Sequence, residues 1–306
     1  MYVRRDIQPL LTLRYAWRAV LQFTLYAVVV CVLHEELKLT SLAIPSLPLT
    51  TLGIVVSFTI GFKNNSAYDR FWEARTLWGR VVNTSRSWTV QILSFIHGMP
   101  GTQDPRAAEA LEREFIYRQL AWVHALRIHL RKQDGWEEVQ KFVSPAEWED
   151  LRTKTNIPAQ LLAHQGSRLR QFLGHSGLGR ELLHLELIRN IDELYDLQGG
   201  CERIKNTPFP RQYGYYSKVF VQLFCLILPF GFVASLGWLT IPLSVLVSWT
   251  FFTLERVGDT SEDPFENKIN DVPMSAICRA IEIDLREMLK EKDIPKPLAP
   301  VEGVLL

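Results

Sequence analysis

With 306 residues, 47% of them hydrophobic and 22% charged, the chain has the length of two soluble domains, so the distribution of its apolar residues decides its class. A net charge of +1 argues against the basic face of a nucleic-acid binder, and no nucleic-acid partner is expected. Four cysteines (Cys31, Cys201, Cys225 and Cys278) lie far apart with no CxxC pair, which indicates neither a zinc site nor a disulfide framework.

The apolar residues are clustered. Ala19 to Leu33 gives 15 uncharged residues, preceded by Tyr15, Ala16 and Trp17, and Arg18 has a stem long enough to snorkel toward lipid headgroups. No small-residue cleavage site follows, so a retained first transmembrane helix at 14–33 is expected in place of a signal peptide. Uncharged runs of 24 residues from Leu39 to Phe62 and of 36 from Val219 to Leu254 come next. A helix crosses the hydrocarbon layer of a bilayer in about 20 residues. The second run therefore makes one span, 48–64, reached through a loop that carries Pro45 and Pro48. The third makes two, 215–235 and 238–254, with the break written as Pro229, Gly231, Gly237 and Pro242.

Lys and Arg collect beside these spans at Arg4, Arg5, Arg14, Arg18, Lys63, Arg70, Arg75, Arg203, Lys205, Arg211, Lys218 and Arg256, whereas the short outer loops carry only Lys38. That asymmetry places both termini and the long middle in the cytoplasm, as an even number of spans requires. Between the hairpins, Leu111, Phe115, Leu120, Val123, Leu126 and Leu130 recur with helical period, so a cytoplasmic helical domain is expected. Its loops are marked by Pro100, Gly101, Asp104 and Pro105, with Asp104 as an N-cap, and by Gly135, Ser144 and Pro145. A further helix is expected at 179–205. After the fourth span, Asp271 is read as the cap of a helix whose apolar stripe is Met274, Ile277, Cys278, Ile281, Leu285 and Met288. The chain is thus an all-α membrane protein of four transmembrane helices and a cytoplasmic helical domain. It divides into 1–65 with the first two spans, 66–212 as the cytoplasmic domain, 213–256 with the last two spans, and a cytoplasmic segment 257–306.

Residues for catalysis are thin. The seven histidines (His34, His97, His124, His129, His164, His175 and His184) include no HExxH, no glycine loop would cradle a phosphate, and no GxSxG elbow is present. No enzyme, metal or cofactor is expected. The informative stretch is the second span, where Ile54, Phe58 and Phe62 recur every four residues with Gly53, Ser57 and Gly61 one position behind. Two readings stand. The bulky line contacts lipid or a neighbouring helix, with the small residues allowing close approach, or several copies of it form a constriction that gates ions by dewetting. The helix should continue past Phe62 without a break, through Lys63, Asn64, Asn65, Asp69, Arg70, Glu73 and Arg75, whose charges are read as a solvated face in preference to direct ion binding.

Three separated blocks, GFKNNSAYDRFWEARTLWG, TPFPRQYGYYSKVF and GDTSEDPFENKINDVPMSAICRAIEIDLREML, resemble the bestrophin family in its prokaryotic branch, and the likeness runs through nearly the whole chain. The resemblance implies a homopentameric channel of the bacterial inner membrane with one central pore, whose partners are further copies of itself, the lipid bilayer and monovalent ions. Ile54, Phe58 and Phe62 match the family's hydrophobic neck. Gly61 and Arg70 match positions that support the pore helix, and Phe71 stands where eukaryotic members have tryptophan. Leu185, reached by counting back from Cys201, is the candidate for the cytoplasmic aperture. Eukaryotic members hold calcium in an acidic clasp. Here the matching stretch reads Asp263, Pro264, Phe265, Glu266, Asn267, Lys268, Ile269, and a lysine inside it opposes a cage of six to eight oxygen ligands. Animal members pass chloride and some prokaryotic ones pass cations such as sodium. Glu35 and Glu36 lean toward cations and Arg18, Arg70 and Arg75 toward anions, so the sign of the ion stays open. The competing class is a secondary transporter or membrane scaffold in which the stripe merely packs helices; it lacks the inverted repeats and midplane ionisable groups usual in transporters.

Overall fold

The computed structural model describes residues 1–3, 9–96, 104–174 and 178–305, with 9–16 and 178–179 described as backbone. Arg4, Arg5, His97, Pro100, Gly101 and His175 lie outside the described residues, as does the side chain of Arg14. Helices account for the ordered elements among the described residues, and β pairing is confined to isolated bridges such as Tyr2 with Val304. In chain order they are α1 (Pro9–Glu35), α2 (Ser46–Ile96), α3 (Pro105–Arg131), α4 (Glu137–Gln140), α5 (Pro145–Leu151), α6 (Ile157–Leu173), α7 (Leu178–Asn206), α8 (Arg211–Leu236), α9 (Thr240–Ser261) and α10 (Met274–Met288).

Three helical stretches among the described residues are long and apolar enough to cross a membrane: Trp17–Glu35, Thr40–Ile96 and Arg211–Ser261. The last contains two helices. Gly237, at φ +50°, ends α8, and a single 3-10 turn, Gly237–Leu239, leads into α9. A left-handed residue is where glycine carries no steric penalty. Pro229 and Gly231, expected to share in this break, lie inside α8. The proline gives up its bond to the Cys225 carbonyl but leaves the helix continuous. Pro48 likewise sits in the first turn of α2, where its missing N–H has no helical partner to lose, and Pro242 does the same in α9.

The chain forms two compact units. One comprises Arg4–Phe71 and Pro208–Asp263, the other Met1–Val3, Trp72–Thr207 and Pro264–Leu306. α2 is one helix of 51 residues and gives 46–71 to the first unit and 72–96 to the second. In the first, α1 packs on α9 and α8, and α8 on α9, with Phe224 and Phe251 4.9 Å apart and the Tyr26 hydroxyl donating to the Leu226 carbonyl at 2.9 Å. Leu49, Val56 and Ile60 of α2 join Val221, Phe224, Cys225 and Leu228 of α8 in its buried core.

In the second unit α3 is central, packed by α6, α10, α4 and α7. Its start follows the expected cap, the Asp104 side chain accepting from the Arg106 N–H at 3.0 Å. Phe115, Leu120, Val123, Leu126 and Leu130 are buried, but so are Arg118, Gln119, His124, Arg127 and Arg131, so α3 is enclosed on nearly every side. Most buried polar groups have a partner. Arg118 meets Glu147 at 2.7 Å, Gln119 meets Ser85 at 3.0 Å, and Arg127 meets Glu138 at 2.7 Å. Of the expected stripe α10 buries Met274, Cys278, Ile281 and Leu285, while Ile277 and Met288 are partly buried. Asp271 does not cap it: its carboxylate accepts from the Lys268 N–H at 2.9 Å, closing the turn before the helix.

Candidate pore-lining site

Residues 46–71 of α2 have two opposed faces. Ile54, Phe58 and Phe62 are 65%, 76% and 59% exposed, whereas Val56 and Ile60, interleaved with them, are buried. Exposure of three large apolar groups in one line is what a single chain shows when lipid or another copy is to cover them. Four hydroxyls of this stretch are spent internally. Thr50, Thr51, Ser57 and Thr59 each donate to the carbonyl four residues back, at 2.7 to 3.1 Å, so none is left seeking a partner in an apolar setting. Gly53 allows the close approach expected of it, since a Cβ there would lie 3.2 Å from the Phe224 ring. A Cβ at Gly61 meets nothing within 4 Å, so its small size serves no contact among the described residues.

Beyond Phe62 the charges separate by face. Asp69 is exposed. Lys63 is not solvated: it is 4% exposed, with its ammonium 2.9 Å from Glu255 and 3.4 Å from Asp259, both on α9. Asn64 donates to the Leu254 carbonyl at 3.2 Å, and Arg70 donates from Nε to the Glu262 carbonyl at 3.0 Å with Asp263 3.8 Å from its Nη2. Arg70 therefore acts at the foot of the α2–α9 pair. Burial, then the neighbouring charge of Asp263, pushes the Glu262 carboxyl up from its ordinary value. The Lys63–Glu255 pair escaped the sequence reading. Its signal was present, a lysine one place past the stripe and a glutamate one place past the last apolar run.

The remaining sequence candidates fall elsewhere. Leu185 is on α7 and exposed, as is Leu182 one turn before it. In the acidic stretch after α9, Glu266 pairs with Lys205, and Asp271 is engaged by the Lys268 backbone. Among the described residues no group of three or more His, Cys, Asp or Glu side chains is arranged to hold a metal ion. Arg18 is exposed and stacks over Trp17, and Glu35 pairs with His34 at 3.1 Å. Tyr215, Tyr216 and Phe220 form an exposed aromatic cluster near the start of α8, of the kind that settles at a headgroup boundary.

A family model described as Bacterial/Fungal Bestrophin protein matches residues 12–287. Among curated relatives, the voltage-dependent anion channel-forming protein YneE of Escherichia coli K12 is 34% identical over 253 residues, 83% of this chain and 80% of that protein. A Mesorhizobium japonicum protein of the same description is 31% identical over 92% of this chain and 86% of its own length. The crystal structure of a bacterial bestrophin homologue from Klebsiella pneumoniae superposes with a TM-score of 0.79 at 28% identity, covering 90% of this chain and 98% of that one.

Proposed function

The chain belongs to the bacterial and fungal bestrophin family, and on that premise we propose that it is one subunit of a homopentameric ion channel of the bacterial inner membrane. α1, the first part of α2, α8 and α9 are its four spans, and both termini lie in the cytoplasm with 66–212 and 257–306. Ile54, Phe58 and Phe62 of each copy line the neck, and Leu185 lines the cytoplasmic aperture. The observation that carries this reading is the exposed apolar line on α2, opposed to a buried line on the same helix. A fivefold axis gives that line a place to face, and rings of such groups hold back hydrated ions by dewetting.

Three apolar rings set a dehydration barrier without favouring a sign of charge. The relatives are described as anion channel-forming proteins, which favours a small monovalent anion such as chloride. Conduction is passive and needs no cofactor, and the lysine in the stretch that matches the calcium clasp makes it independent of calcium. The test is the reversal potential of the purified protein in a planar bilayer under a salt gradient. A potential displaced toward the chloride equilibrium value is expected. Displacement toward the sodium value keeps the channel and reverses the ion, while absence of conductance overturns the channel reading in favour of a transporter or scaffold.

A further inference from the structure

At about 100° per residue, Leu49, Val56, Ile60 and Lys63 point within roughly 60° of one another on α2, and their common direction lies roughly 170° from that of Ile54, Phe58 and Phe62. Lys63 thus closes the buried line on the side opposite the stripe. Apolar contacts such as Val56 against α8 are non-directional and survive a modest turn of the helix. A buried ion pair does not. Lys63 and Glu255 are 4% and 5% exposed and 2.9 Å apart, and turning α2 by one residue would leave an ammonium and a carboxylate unpaired in apolar surroundings. Asp259, half exposed, gives the same ammonium a second carboxylate one turn along α9. The seam is fitted for this. A Cβ at Gly258 would run into the Asn64 side chain, so the glycine lets the Lys63–Asn64 edge of α2 lie against α9.

We propose that Lys63, held by Glu255 and Asp259, is a positioning residue that sets the rotation of α2 and so aims the Ile54, Phe58 and Phe62 line. This rests on the neck reading above. It assigns a role in the conduction path to a charge that faces away from that path.

The experiment places a single cysteine at Phe58 or at Val56 in the reconstituted full-length protein, whose four native cysteines are buried. A membrane-impermeant methanethiosulfonate is applied in water, and modification is followed by current and by intact mass. With Lys63 native, Phe58→Cys should react at least about tenfold faster than Val56→Cys, because only a solvated thiolate reacts. Adding Lys63→Met or Glu255→Gln should bring that ratio down by about tenfold, and Lys63→Arg should keep it, since the charge is what the seam recognises. The nearly isosteric Glu255→Gln decides where Lys63→Met does not assemble. A ratio unchanged in these variants overturns the proposal and leaves the neck standing. An unreactive Phe58→Cys in the native background overturns the neck reading and the proposal with it.

Discussion

Phe58 and Ile60 stand two positions apart on α2, one 76% exposed and the other 2%. Their substitutions should therefore separate conduction from folding. Phe58→Ala removes a ring that touches little of its own subunit, so the thermal midpoint in detergent should move little. Widening and wetting a neck should raise single-channel conductance by about threefold or more. Ile60→Ala opens a hole in the packed core and should destabilise by about 2–5 kcal/mol. If Phe58→Ala left conductance at the wild-type value while lowering the midpoint as far as Ile60→Ala does, Phe58 would be a packing residue.

At the scale of the element, α2 and α9 approach closely where Asn64 lies over Gly258. Gly258→Ala would force these helices apart or push the Asn64 amide from the Leu254 carbonyl. Overpacking of this kind should cost about 1–3 kcal/mol, read as a lower thermal midpoint. Gly61→Ala, with open space around it, should hold or slightly raise the midpoint, since alanine is favoured over glycine inside a helix by about 0.5–1 kcal/mol, and the contrast checks the assignment of the seam. The identity and continuity of these helices were legible in the sequence, because uncharged run length and the absence of Gly or Pro after Phe62 are local signals. Gly237 was legible as a stop for the same reason. The misread prolines have two causes: Pro48 and Pro242 lie in first turns, which proline favours as readily as a loop, whereas Pro229 lies within a helix held by its neighbours, where context overrode the local preference. Lys63 was misplaced because its burial depends on two acids nearly two hundred residues later, which periodicity along α2 does not reveal. Asp271 was misassigned because a turn and a helix start compete for the same short carboxylate.

For the molecule as a whole, stability outside the membrane is tied to pH through the buried charges of α3. Glu138 sits 2.7 Å from Arg127 and 3.2 Å from the His124 imidazole, and that imidazole first, then the charge of Arg127, holds its carboxyl at about 2 against an ordinary 4.5. A depressed folded value means that the unfolded chain takes up the proton first. The stabilisation is therefore complete above the ordinary value and is lost as pH falls from 4.5 toward 2. The Glu138 side chain is 48% exposed, so solvent screening keeps the contribution modest, on the order of 1 kcal/mol. Glu138→Gln should lower the unfolding midpoint at pH 5, and the gap from wild type should close as the pH falls from there toward 2. A gap that stayed the same across that range would mean that Glu138 acts by shape alone. One that widened toward acid would mean that its charge opposes the fold instead of supporting it.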